Sequence, residues 1–189
     1  MGEFQAKMFN KKAANPKNKP DQILKAIGLK RGQSIADIGS GGGYFSLRFA
    51  EIVGEEGKVY AVDAKREFLN FTKRSAEERG LHNLLLMSVS ENGLNLPENS
   101  LDFIFMRNVA HHISDRITYF KGLRNHLKPG GRVVVIEYKR GNLISFRRLF
   151  GHHVSKETIV REMRETRYSL EKEFDFLPEQ HFSIFKAIS

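Results

Sequence analysis

Residues 35 to 45 read IADIGSGGGYF: an apolar run carrying Asp37 opens into Gly39-Ser40-Gly41-Gly42-Gly43, four glycines in five positions. A glycine-rich turn after a strand brings backbone amides close to a nucleotide. The dinucleotide pattern G-x-G-x-x-G is met at Gly39 and Gly41, but its third glycine falls on Tyr44. Asp37 also sits two residues ahead of the first glycine. A pyrophosphate is held by clean amide donors and repelled by a carboxylate beside them. A cofactor with an ammonium and a sulfonium is attracted instead, and S-adenosylmethionine is such a cofactor. Further on, AVDA places Asp63 where a carboxylate accepts both hydroxyls of a ribose. Nicotinamide cofactors use an acid there too, so Asp63 marks a ribose without choosing its owner.

The remaining chemistry-bearing residues fall into three groups. The segment Arg107 to His112 (RNVAHH) holds His111 and His112, and a neutral imidazole is a general base near neutral pH. Paired histidines there also serve to cap a helix or to pack under a cofactor. Glu137 and Tyr138 follow an apolar strand, as substrate contacts or as structural residues. His152 and His153 lie in GHHVS, where His152 could line a substrate pocket. As a metal pair they fail, because adjacent residues on an extended chain point apart and no further ligand is at hand. No metal site is expected.

The elements that must position these groups alternate. Strands are expected at Ser34 to Ile38, Lys58 to Val62, Leu84 to Val89, Leu101 to Met106 and Arg132 to Glu137. Helices are expected at Pro20 to Ile27, Tyr44 to Val53, Lys65 to Arg79 and Ser114 to Leu127, with LKPGG as a turn before the fifth strand. This is the pattern of a doubly wound α/β sheet, mainly parallel. After a basic connection over residues 138 to 154 come a helix, Lys156 to Thr166, and two strands, Tyr168 to Phe174 and His181 to Ala187. The short loop at Phe176-Leu177-Pro178 makes those two an antiparallel pair. In a sheet of this kind ligands lie outside the carboxyl ends of the strands. Those ends carry Asp37, Asp63, residues 107 to 112, and Glu137-Tyr138.

With 189 residues, 40% of them hydrophobic and 28% charged, the chain reads as one globular domain over residues 20 to 189. Residues 1 to 19, lysine-rich and containing Asn15-Pro16, read as a flexible basic arm. No apolar stretch approaches the roughly 18 residues of a membrane span, and no secretory signal opens the chain, so a cytoplasmic protein is expected. There is no cysteine. Disulfides, thiolate metal sites and covalent cysteine mechanisms are excluded together. The net charge of +9 admits an anionic partner such as nucleic acid, but no stacking motif or helix-turn-helix signature accompanies it.

Taken in order, IADIGSGGGYF, VYAVDAKREFL, LPENSLDFIFMRNVAHHI and LKPGGRVVVIE resemble a class I S-adenosylmethionine-dependent methyltransferase, of the UbiE-like or methyltransferase-domain-11 type. The resemblance runs from about residue 20 to the C-terminus. It implies a Rossmann-like, seven-stranded sheet in the order 3-2-1-4-5-7-6, with strand seven antiparallel. It also implies that Gly39, Gly41 and Gly43 approach the methionine part of the cofactor and that Asp37 holds its amino group, directly or through water. Asp63 would take the ribose, with Ala64 and Lys65 along the adenine. Arg107 and Asn108 would line the methionine side, and Tyr44 is either core or a cofactor contact. Many relatives have an acid ahead of the leucine-proline pair for the adenine amine. Here Asn92 stands in its place, with Ser90 and Glu91 beside it.

Methyl transfer is an in-line attack on a carbon already activated by positive sulfur, so the protein mainly aligns and excludes water. A base matters only where the nucleophile arrives protonated. The absence of cysteine removes pyrimidine C5 methylation and arsenite methylation. The Asn/Asp-Pro-Pro-aromatic motif of base amino methylation is absent, with MRNVAHH in its place. Quinone methyltransferases of this resemblance usually carry more chain after the fifth strand than the short YKRGNLISFRRLFGHH. Its apolar residues, with Phe4, Met8 and Phe9 of the arm, could roof an apolar substrate, form core or make an oligomer contact. The reading is a methyltransferase acting on a small-molecule acceptor and releasing S-adenosylhomocysteine. Methylation of RNA or protein, and a catalytically silent cofactor-binding protein, stand as alternatives. A nicotinamide oxidoreductase is disfavoured by Tyr44 and Asp37.

Overall fold

The structure, a computed structural model, describes residues 2–89, 94–139 and 153–188. The chain divides into two compact units, Met1–Pro97 and Glu98–Ser189. Residues 2–14, expected as a loose arm, form a helix within the first unit.

In the first unit that helix, α1 (Gly2–Ala14), is built from Gln, Ala, Lys and Met, all good helix formers. Glu3 in its first turn and Lys11 and Lys12 in its last complement the helix dipole. It ends ahead of Pro16, which disfavours helical backbone at Asn15. A 3₁₀ turn (Pro16–Asn18) leads into α2 (Pro20–Ile27), which buries Ile23, Leu24 and Ile27 and is capped by Gly28 at φ 70°. Then follow β1 (Ser34–Ile38), α3 (Tyr44–Val53), β2 (Lys58–Asp63), α4 (Arg66–Glu77) and β3 (Leu84–Ser88). β1 pairs parallel with β2, and β2 parallel with β3. Ile35, Val59 and Phe49 are fully buried between these layers.

The second unit holds β4 (Leu101–Arg107), a 3₁₀ turn (Ala110–His112), α5 (Arg116–Leu123), β5 (Leu127–Tyr138), α6 (Lys156–Glu165), β6 (Tyr168–Phe174) and β7 (Gln180–Ala187). Helix α5 is capped by the Asp115 side chain, which accepts from the Thr118 amide at 3.0 Å. It is shorter than the helix expected over 114 to 127, because Arg124–His126 tighten into a 3₁₀ turn. The LKPGG segment is strand rather than turn. Leu127 pairs with Leu101 and Arg132 with Phe103, so the extra residues between them form a bulge. Gly130, at φ 76°, permits the bulge. Strand β7 runs antiparallel to both β5 and β6. The strand order is β3-β2-β1-β4-β5-β7-β6, as the resemblance implied.

Candidate functional site

In the first unit the turn after β1 is a chain of satisfied amides. Gly39 and Ser40 donate to the Val62 carbonyl at 2.8 and 3.0 Å, and Gly43 donates to Ser40. Gly41 donates instead to a side chain, Oδ2 of Asp63, at 2.8 Å. The other oxygen of Asp63 accepts the Lys65 amide at 2.9 Å. Gly39, Gly41 and Gly43 all have positive φ (70°, 56° and 82°), which a side chain disfavours. Gly42 is needed for space: a Cβ there would overlap the Ala6 carbonyl and the Asn10 side chain. Asp37 is buried, and Ser46 on α3 donates to its Oδ2 at 2.5 Å. Ala64 is exposed beside Asp63.

Helix α1 is therefore part of the site's frame. Asn10 donates to the Gly42 carbonyl at 2.8 Å and accepts the Tyr44 amide at 3.2 Å, so one side chain fixes both ends of the turn into α3. Phe9 lies beside Gly41 and meets Phe68 of α4 edge-on, with ring centroids 5.6 Å apart. Ala6 is fully buried. The sequence signal for this was the spacing Ala6, Phe9, Asn10, Ala13, a helical stripe inside a stretch read as a loose arm. The Tyr44 ring turns into a cleft of about 230 Å³ lined with Ala14, Pro16, Lys19, Pro20 and Asp21. Its hydroxyl accepts from Arg48 at 3.3 Å.

In the second unit the structure pairs His111 with Glu137. Nδ1 of His111 lies 2.9 Å from Oε1 of Glu137, which also accepts the Tyr138 amide at 2.8 Å. Oε2 accepts the His111 amide at 3.3 Å. Glu137 is 0% exposed and the His111 side chain 5%. Two backbone amides and the Nδ1 edge of the His111 ring therefore converge on this one carboxylate, which orients the imidazole. Glu137, which the sequence offers as a substrate contact or a structural residue, is a partner of His111. His112 is exposed, its ring centroid 4.1 Å from that of His111.

Arg107 and Asn108 meet through a residue that no motif marks, Gln180 at the start of β7. Its Oε1 accepts from Arg107 at 3.1 Å and its Nε2 donates to Oδ1 of Asn108 at 2.5 Å. Asn108 has φ 57°, a conformation asparagine tolerates better than most residues. Asn92, Ser90, Glu91, His152 and the apolar residues of 143–150 lie outside the described residues. Among the described residues no cluster of His, Asp and Glu forms a metal site.

The model of the ubiE/COQ5 methyltransferase family matches residues 16–176. The chain belongs to this family. Within the ubiE/COQ5 family, it is 30% identical over 128 residues to a demethylmenaquinone methyltransferase of Geobacillus stearothermophilus, a match covering 68% of this chain and 55% of that protein. It is 26% identical to the ubiquinone/menaquinone biosynthesis C-methyltransferase UbiE of Serratia proteamaculans, over 76% of this chain and 60% of the relative. The chain spans about half the length of the curated relatives it matches. Among solved structures, a SAM dependent methyltransferase from Aquifex aeolicus superposes with a TM-score of 0.86 over 97% of both chains, at 24% identity.

Proposed function

We propose that this ubiE/COQ5 family member transfers a methyl group from S-adenosylmethionine to a ring carbon of a small quinone-type acceptor. The observation that carries the reading is the Asp63 carboxylate, tied to Gly41 and Lys65 by one bond on each oxygen. A carboxylate so held keeps an acceptor position on each oxygen, and two vicinal ribose hydroxyls fit that pair. The surroundings fit a polar ligand as well. Ser40 Oγ and Thr72 Oγ1, both beside the glycine turn, are buried without a protein partner, and buried polar atoms ordinarily have one.

In this reading Asp63 holds the ribose, Ala64 and Lys65 border the adenine, and the turn at Gly39, Gly41 and Gly43 admits the methionine end. Asp37, held by Ser46, supplies the negative charge for the amino group. The cofactor, when bound, supplies a methyl carbon activated by positive sulfur. Arg107 and Asn108, tied together by Gln180, line the methionine side.

Two relatives are named for demethylmenaquinone and for C-methylation, and such an acceptor sets the proton problem. A ring carbon becomes nucleophilic when a neighbouring hydroxyl gives up its proton. His111 Nε2 would take that proton, with Glu137 stabilising the imidazolium that forms. His112 and Tyr138, whose rings neighbour that of His111, are assigned to the acceptor.

Calorimetric titration with S-adenosylmethionine, S-adenosylhomocysteine and NAD tests the cofactor. Binding of the first two and not of NAD is expected; binding of NAD alone, or of none, overturns the reading. Methyl transfer to a short-chain demethylmenaquinol then tests the acceptor. Salt-sensitive methylation of RNA in its place, or binding without turnover on any quinol, would overturn that part alone.

A further inference from the structure

The inner face of α1 is spent on the glycine turn, through Ala6, Asn10 and Phe9. Its outer face is exposed. Phe4 is 75% exposed and Met8 49%. At about 100° per residue, these two lie roughly 40° apart, one above the other on the side away from Ala6. Lys7 and Lys11 fall along one flank of this apolar ridge and Lys12 along the other, all three exposed. Five lysines stand against a single glutamate between residues 2 and 19. That glutamate, Glu3, lies on the far side of the lysine flank, paired with Lys7 at 2.9 Å and Arg74 at 3.0 Å.

We propose that the outer face of α1 docks on an anionic lipid surface, with Phe4 and Met8 entering the headgroup layer and Lys7, Lys11 and Lys12 lying against the headgroups. An apolar ridge between lysine flanks is what an interfacial helix presents: the stems of the lysines follow the ridge inward while their ammonium groups stay with the phosphates. Charge selects this occupant over others. A second copy of the chain would bring two lysine-rimmed faces together, like charge against like. A nucleic acid would use the lysines and leave the Phe4–Met8 ridge in water. Of these three, the anionic lipid surface is the one that uses both. Docked this way, the surface lies about one helix diameter, roughly 10 Å, from the glycine turn. The proposal stands apart from the methyl-transfer reading, since binding to lipid is measured without cofactor or acceptor.

The test is co-sedimentation of the full chain with vesicles of phosphatidylcholine alone and of phosphatidylcholine mixed with phosphatidylglycerol. The protein should pellet with the mixed vesicles only, and less so as salt is raised. Phe4→Ser with Met8→Ser should lower the partition coefficient about tenfold or more with cofactor affinity unchanged. Lys11→Glu with Lys12→Glu should remove the preference for anionic vesicles. The chain has no tryptophan, so Phe4→Trp makes a single reporter. Its emission should shift to the blue and escape aqueous quencher on the mixed vesicles. Failure to pellet, undiminished binding by the serine variant, or an unshifted tryptophan overturns the proposal. So does a dimer in solution that the serine variant dissolves, or single-stranded RNA binding lost through Phe4 and Met8.

Discussion

The backbone amide of Gly41 donates to Oδ2 of Asp63 at 2.8 Å. The glycine turn after β1 and the acid closing β2 are therefore one hydrogen-bonded unit, and a change at either reaches the other. Asp63→Ala removes the acceptor of two backbone amides as well as the partner of the ribose. Affinity for S-adenosylmethionine should fall by about 1–3 kcal/mol, since ligand hydroxyls and the Gly41 amide are left unpaired. Calorimetry checks this, and an unchanged dissociation constant would remove Asp63 from the site.

Gly42→Ala tests the seat of α1. The added Cβ runs into the Ala6 carbonyl, which is backbone and cannot swing aside. The variant should lose about 1–3 kcal/mol by denaturant titration and be cut within α1 by a protease sooner than wild type. Asn10→Ala leaves the Gly42 carbonyl and Tyr44 amide for water to reach and should cost less, about 1 kcal/mol. If alanine at position 42 is silent, the close approach of α1 to the turn is wrong.

The His111–Glu137 pair separates into two variants. His111→Ala should lower kcat about 10²–10⁴-fold while the dissociation constant for S-adenosylhomocysteine stays put, because the imidazole acts on the acceptor's proton. Glu137→Gln keeps the shape but offers an amide whose NH₂ can face Nδ1, favouring the tautomer with its proton on Nε2. It too should reduce kcat far more than KM. Equal losses in cofactor binding and turnover would instead mark the pair as structural.

His181 predicts an acid-sensitive fold. It is buried, with Nε2 3.0 Å from the Val154 carbonyl and Nδ1 buried without a partner. Burial, reinforced by Lys156, pushes its pKa below the ordinary 6.5, against the pull of the Val154 carbonyl, Glu137 and Glu157. The unfolded chain therefore binds the proton more readily, and stability falls as pH drops below about 6.5. The urea midpoint measured from pH about 7.5 to about 5.5 should decline, and His181→Gln should flatten that slope. A wild-type profile that matches the glutamine variant's would exclude this imidazole as the cause.

What the sequence disclosed, and what it hid, follows from the range of each signal. The alternation of strands and helices and the glycines with positive φ are local demands of the backbone, legible in one dimension. Asp63 was legible because its position at a strand end fixes its place. The partnership of Glu137 with His111 was not, for it depends on how the 3₁₀ turn at Ala110–His112 lies against β5. Gln180 escaped notice for the same reason: its partners Arg107 and Asn108 are more than seventy positions away. Helix α1 is masked by the lysine and asparagine content of its stretch, which outweighs the short stripe of Ala6, Asn10 and Ala13. LKPGG has the composition of a turn, and only its pairing with β4, which is non-local, makes it strand.

Asn10 spans the glycine turn with a donor on Gly42 and an acceptor on Tyr44, and α1 carries the lipid-facing ridge on its opposite side. Binding equilibria that share one element are linked, and the linkage is reciprocal. Whatever factor a lipid surface adds to or takes from cofactor affinity by steadying or loosening α1, the cofactor must return to lipid affinity in equal measure. A titration of either ligand at saturating levels of the other would read the same coupling constant from both directions.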